Sequence, residues 1–206
     1  MPQEISYVLD GKKLDHDGFL DPDTEEHSYL DEKSGVIRSF SDQKAFLKSF
    51  QDAGFKVDVQ AALKKIDAAR AHYEALGDRR KAALEKEQVA QHIAKQQTIR
   101  SLLKKKGIDA TDPKALLDLH KAGEIGSMIA YDLPGCVGDW AYFPPGLHPK
   151  LSWFGWNDRI SSFYNLGLLA SLHRDTWFRG KVLWVPPLAR YKDLGWWSNR
   201  ISSMMF

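Results

Sequence analysis

Between Asp58 and Lys106, apolar residues return every three or four positions. Val59, Leu63, Ile66, Ala69, Tyr73 and Leu76 form one run, and Leu84, Val89, Ile93, Ile99 and Leu103 continue it. That spacing predicts helix with an apolar stripe facing something apolar. Gly77-Asp78 interrupts the stripe as a helix-hairpin turn or as a weak point in one long helix, and Asp78 can cap the second half. Ser41 or Asp42 predicts the start of an earlier helix that reaches about Ala53 and stops at Gly54, with Phe46, Leu47 and Phe50 buried. Thr111-Asp112-Pro113 starts a short helix ending near Gly123, with proline in its first turn.

The flanks read as strands. Ile5–Leu9 leads to the turn pair Asp10-Gly11, and His27–Leu30 and Val36–Phe40 follow. After residue 126 the chain breaks into short apolar segments separated by turns. Met128–Tyr131, Trp140–Phe143 and Ile160–Tyr164 make one set. Leu168–Leu172, Lys181–Val185 and Ile201–Phe206 make a second. All seven tryptophans lie in this tail, enough large aromatic surface for the core of an eighty-residue unit.

The two sets are copies. Residues 155–162 read Gly-Trp-Asn-Asp-Arg-Ile-Ser-Ser, and residues 195–203 read Gly-Trp-Trp-Ser-Asn-Arg-Ile-Ser-Ser. Phe143-Pro144-Pro145 maps onto Val185-Pro186-Pro187, and Tyr131 and Gly138 map onto His173 and Gly180. Self-similarity at a period of about forty residues marks a duplicated unit, and about four strands per copy at this spacing, counting the Pro-Pro segments, predict a sandwich of Greek keys.

The unit resembles the βγ-crystallin Greek key over about 127–206. That family carries an aromatic with a glycine seven residues on, matched by Tyr131…Gly138 and, with histidine in the aromatic place, by His173…Gly180. It also carries Asn/Asp-Asn/Asp-x-x-Ser/Thr-Ser. Asn157–Ser162 matches this at every fixed position, and Ser198–Ser203 departs at the first. The wording is also similar to microbial relatives that inhibit metalloproteinases. The resemblance implies an all-β double Greek-key sandwich, so the expected class is α+β overall. It also implies that the two Ser-Ser stretches lie together as calcium sites. The ligands would be side chains of Asp158, Asn199, Ser161 and Ser202 and backbone carbonyls of Arg159 and Arg200. Asp158 is the single carboxylate in that set, and Arg159 and Arg200 bring positive charge to it, so Ca2+ binding would be weak. The bland alternative is that these short polar side chains bond nearby backbone and pin the loops.

Composition narrows the remaining classes. The 206 residues carry a net charge of +2, but 59–106 holds twelve bases against five acids. Glu74, Glu85 and Glu87 are interleaved there and Tyr73 is the lone aromatic, which favours a solvated face over a nucleic-acid surface. The acidic stretch 15–27 lacks EF-hand spacing. The one cysteine, Cys136, sits in a turn and excludes an intrachain disulfide. The start has no secretory signal pattern, and no apolar run approaches membrane-spanning length. The seven histidines form no HExxH, and no phosphate-cradling glycine loop is present, so catalysis has no candidate residues.

The expected organisation is a small β-rich segment plus one helix over 1–58, a helical segment over 59–126, and a βγ-crystallin-like unit over 127–206. The expected function is a non-enzymatic structural or binding protein. Its residues 41–126 join the sandwich to a protein partner, to copies of itself or to a larger assembly. The expected setting is cytoplasm or a particle assembled there, such as a virion. A proteinaceous metalloproteinase inhibitor is the alternative.

Overall fold

A computed structural model describes residues 6–14, 26–31, 36–55 and 57–206. The acidic stretch falls almost entirely outside them. Twelve strands and four α-helices are described. The tail contributes β5 (Met128–Leu133), β6 (Val137–Phe143), β7 (Leu147–His148) and β8 (Ser162–Asn165) from the first copy. The second copy gives β9 (Ala170–His173), β10 (Val182–Val185), β11 (Arg190–Tyr191) and β12 (Ser203–Met205). One sheet runs β11-β8-β5-β6, and the other contains β7-β12-β9-β10. Each copy therefore lends its third strand to the sheet of the other, since β7 pairs with β12 and β11 with β8. Two Greek keys are interlocked about a pseudo-twofold axis, the arrangement the duplication predicts.

Met128, Ala130, Phe163, Leu172, Leu183, Tyr191, Trp197 and Met204 meet between the sheets in one buried core. At about 25 cal/mol per Å2 of apolar surface, aromatic burial on this scale dominates the stability of the unit.

The N-terminal strands are β1 (Ser6–Leu9), β2 (Lys12–Leu14), β3 (His27–Asp31) and β4 (Val36–Phe40). They extend the second sheet. β3 lies parallel to β10, with Val182, Leu183 and Trp184 opposite His27, Ser28 and Tyr29, and the sheet grows to eight strands in the order β2-β1-β4-β3-β10-β9-β12-β7. Tyr7, Leu30 and Ile37 enter the same core as the duplicated unit. Tyr7 also accepts a hydrogen bond from the Trp196 backbone N–H, and burial pushes its phenol up to about 12.

Helices cover both outer faces. α1 (Gln43–Asp52) is capped by Asp42, whose carboxylate accepts from the Ala45 N–H at 2.7 Å. α2 (Val59–Ala75) is capped by Asp58 in the same way. Phe46, Phe50, Val59, Ile66 and Tyr73 of this pair pack on Tyr29, Val182, Trp184 and Met205. On the opposite face, α3 (Asp78–Lys106) and α4 (Pro113–Lys121) bring Ile99, Leu103, Leu116 and Leu119 against Ile129, Tyr131, Tyr142 and Tyr164. The result is four layers, helix–sheet–sheet–helix. No described helix is long and apolar enough to cross a membrane.

The long helical stretch breaks at Leu76-Gly77, both extended, so α2 and α3 are separate helices. Asp78 is the first residue of α3 and makes no capping bond, because Gly77 holds the cap position. The predicted stripe also shifts. Ile93 is 50 % exposed, and His92 takes the buried place beside Ile99 and Leu103. The shift follows from what α3 does. It straps the edge of the sandwich, touching one helical face through Leu84 and the other through Ile99 and Leu103. Between them it crosses polar edge strand, where Gln96 is needed rather than a leucine. Gln96 accepts from the Tyr142 N–H at 2.7 Å and donates to the Trp140 carbonyl at 3.2 Å, capping the free edge of β6.

Candidate functional site

Each copy builds the same folded hairpin. Tyr131 and His173 are fully buried at equivalent places, Tyr131 opposite Ser162 and His173 opposite Ser203. Burial holds the His173 imidazole well below its ordinary pKa, so it is neutral and serves as a ring in the core. Gly138 and Gly180 follow with φ of +88° and +74°. A Cβ on either would press on the carboxylate of Asp132 or Asp175. The glycine seven residues after the ring is thus favoured by its left-handed backbone, and any Cβ there would have to displace an Asp carboxylate.

The second serine of each Ser-Ser pair fastens its hairpin. Ser162 donates to the Leu133 carbonyl at 2.6 Å and accepts from the Cys136 N–H at 3.0 Å. Ser203 does the same with the Asp175 carbonyl at 2.6 Å and the Phe178 N–H at 3.0 Å. Cys136 and Phe178 are both left-handed, φ +60° each. Cys136 is buried, and burial pushes its thiol pKa up, which suits a packed turn residue.

The first serine reaches across to the other copy. Ser202 donates to Asp158 Oδ1 at 3.2 Å, and Ser161 donates to Asn199 Oδ1 at 3.0 Å. Asp158 and Asn199 have matching left-handed backbones, φ +53° and +57°. Their N–H groups bond the Ile201 and Ile160 carbonyls at 3.1 and 2.9 Å. The six predicted site residues lie on these two loops, and four of them form reciprocal side-chain pairs. Arg159 and Arg200 turn their guanidinium groups elsewhere. Arg159 bonds Asp132 at 3.1 Å and Asp139 at 3.2 Å and lies over Trp156, while Arg200 lies over Trp196.

Ser198 stands where the pattern has Asn or Asp. Its hydroxyl donates to Ser161 at 2.8 Å and extends the latch by one bond. Asn157 instead donates to Asp158 within its own loop. Burial raises the Asp158 pKa, opposed by the bonds from Ser202 and Asn157. Among the described residues no group of three or more His, Cys, Asp or Glu gathers. Two oxygen pairs, Asp158 with Ser202 and Asn199 with Ser161, offer hard ligands of the type calcium takes, with one carboxylate between them.

The fold defined by this strand exchange and these twin hairpins is of the βγ-crystallin type. No family model and no curated protein matches the chain. Solved structures do. A βγ-crystallin from Ciona intestinalis is 22% identical and aligns over 39% of this chain and 98% of its own, with a TM-score of 0.36. The N-terminal domain of protein S is 26% identical over 39% of this chain and 93% of its own, at 0.36. A βγ-crystallin domain from Flavobacterium johnsoniae is 22% identical over 38% and 91%, at 0.35. The assignment of fold rests on the strand order and hairpin geometry above.

Sequence reasoning missed three features. The Glu26–Lys181 pair, at 2.6 Å, has both side chains almost wholly buried. Gln96 on the β6 edge carries no sequence signal beyond a break in the apolar stripe. His92 and His148, far apart in sequence, meet around Phe154, with ring centroids 4.5 and 5.8 Å from it.

Proposed function

We propose that this chain is a non-enzymatic scaffold whose βγ-crystallin-like core is held rigid by its own N-terminal part and joined to a protein partner through the outer side of α3. The supporting observation is how little of α3 is consumed internally. Of its 29 residues only His92, Ile99 and Leu103 are buried. Its basic residues Arg79, Lys86 and Lys104 and the half-exposed Ile93 remain in solvent. The apolar sides of α1, α2 and α4 are spent on the sandwich, so the binding role expected of 41–126 narrows to this helix. Affinity capture with the full chain as bait tests the reading. Capture should fail with Ile93→Asp combined with Lys86→Glu, while the melting temperature stays unchanged. Equal capture by the double variant would refute it.

The reciprocal loop pairs favour a second role, weak Ca2+ binding. Side chains of Asp158 and Ser202 would serve one site and those of Asn199 and Ser161 the other, with Arg159 and Arg200 contributing backbone carbonyls. A bound ion would bridge the two copies at the place the latch already joins them. Because a ligand selective for the folded state stabilises by mass action, millimolar Ca2+ should raise the melting temperature of the parent and not of Asp158→Ala. No rise in the parent would leave the latch as a purely structural device.

A further inference from the structure

α3 carries nine lysines and arginines, from Arg79 to Lys106, against three acids, Asp78, Glu85 and Glu87. From Gln88 to its end it holds five of these bases and no acid. Little of this charge is neutralised inside the chain. Among the described residues only Lys106 of α3 has an acidic partner, Glu124 at 2.7 Å. Arg100 lies over the Trp140 ring and donates to its carbonyl at 3.2 Å, and Lys81 lies over Trp177. Arg79, Lys86 and Lys104 stand exposed, with no ion pair among the described residues.

The exposed side of the helix also has a register. Arg79, Ala83, Lys86, Ala90, Ile93 and Gln97 follow at alternating steps of four and three residues, and Arg100 and Lys104 continue the series. Every one of them is exposed. This is heptad spacing, the period at which one helix faces another along its length. From Arg79 to Lys104 the seam is about 37 Å long, at 1.5 Å per residue. The buried His92, Ile99 and Leu103 lie off it, and so do all three acids.

The composition of the seam selects its partner. Arg79, Lys86, Arg100 and Lys104 are cationic, and Ile93 is its one large aliphatic. A second copy of α3 would set this charge against itself in either direction and bring little apolar surface. A phosphate backbone would match the charge alone, since it has no use for a four-three register, and the seam has no aromatic for a base to stack on. An acidic helix meets every feature. Its carboxylates pair with the unpartnered cations, and the short side chains of Ala83 and Ala90 leave room for its leucines to close around Ile93.

We propose that the outer seam of α3 docks an acidic amphipathic helix of a protein partner, paired along the length of the strap. The proposal rests on the reading of α3 as the docking face and names the chemistry of what docks there.

The probe is a synthetic peptide of about 28 residues, four heptads with leucine at one seam position and glutamate at the other. It is titrated into the full chain and followed by anisotropy and far-UV circular dichroism. Saturable micromolar binding with a gain of helix is expected, weakening as salt rises. A scrambled peptide of the same composition and a short DNA duplex should each bind at least about tenfold more weakly. Arg79→Glu combined with Lys86→Glu turns two attractions into like-charge contacts and should weaken the probe at least about tenfold, with the melting temperature unchanged. Lys44→Glu combined with Lys48→Glu makes the same change in net charge at exposed positions of α1 and should bind as the parent does. Absence of saturable binding, equal binding of the scrambled peptide, DNA binding as tight as that of the probe, or undiminished binding in the α3 variant would overturn the proposal. If affinity capture still depended on Ile93 and Lys86, α3 would then remain the docking face for a partner of other chemistry. Loss of that dependence would remove both readings.

Discussion

Ser202 donates a hydrogen bond to Asp158 across the interface of the two copies, and its counterpart Ser161 donates one to Asn199. The neighbouring serines, Ser162 and Ser203, do different work inside each copy. The repeated Ser-Ser phrase therefore encodes two separate fastenings, one between copies and one within. The two should be separable by mutation. Ser162→Ala, at a fully buried position, leaves the Leu133 carbonyl and the buried Cys136 N–H without their partner, and should cost roughly 2–3 kcal/mol. Ser202→Ala loses one partly buried bond, and about 1 kcal/mol is expected. Denaturant unfolding of both variants checks the order, and equal losses would contradict it.

The glycines of the hairpins make a sharper comparison. Gly138→Ala meets both a left-handed backbone and the Asp132 carboxylate, whereas Gly135, at φ +90°, has nothing within 4 Å of the added methyl. Gly135→Ala should cost about 1 kcal/mol from conformation alone. Gly138→Ala should cost more, because Asp132 must move and it also pairs with Arg159. Thermal melts rank the two, and a smaller loss for Gly138→Ala would show that the carboxylate gives way freely.

The Glu26–Lys181 pair ties β3 to the start of β10 in a place closed to water. Lys181→Met strands a buried carboxylate and should destabilise by about 3–5 kcal/mol. Adding Glu26→Gln removes the stranded charge and should restore much of the loss. A double-mutant cycle measures this, and simple additivity of the two single losses would argue that the charges do not interact.

Acid should weaken the fold through its buried imidazoles. Burial depresses His92 and His148 from 6.5 to about 4, His92 also through its neighbour His148. In the unfolded chain both protonate near 6.5, so the native state binds fewer protons below that point. Stability is full above about pH 6.5 and declines as pH falls toward 4. For the almost wholly buried His148 the loss is roughly 3 kcal/mol. Melting temperatures across this window check the slope, and His148→Leu should flatten it. An unchanged slope in that variant would assign the decline to other groups.

Gln96 bonds two groups of the β6 edge with one side chain, the Tyr142 N–H and the Trp140 carbonyl, the latter shared with Arg100. Gln96→Leu should leave that edge open, cost about 1–2 kcal/mol, and promote self-association through strand pairing. Light scattering of the purified variant would reveal it, and a strictly unchanged mass and stability would show that α3 shields the edge by bulk alone.

The amino-acid sequence by itself determined the duplicated unit, its aromatic core and its twin loops, because these depend on residues close together in each copy. A ring, a glycine seven residues on and a Ser-Ser pair specify a hairpin that forms the same way twice. The helices and the caps at Asp42 and Asp112 are legible for the same reason, since capping and periodicity are local. The tertiary structure alone decided what those helices and the first strands pack upon. An apolar stripe states that a surface must be covered and does not name the surface. The parallel pairing of β3 with β10, the strap of α3 across the β6 edge, and the meeting of His92 with His148 join residues between about fifty and one hundred and fifty positions apart. Their energies arise from burial and hydrogen-bond geometry that exist only once the chain has closed on itself.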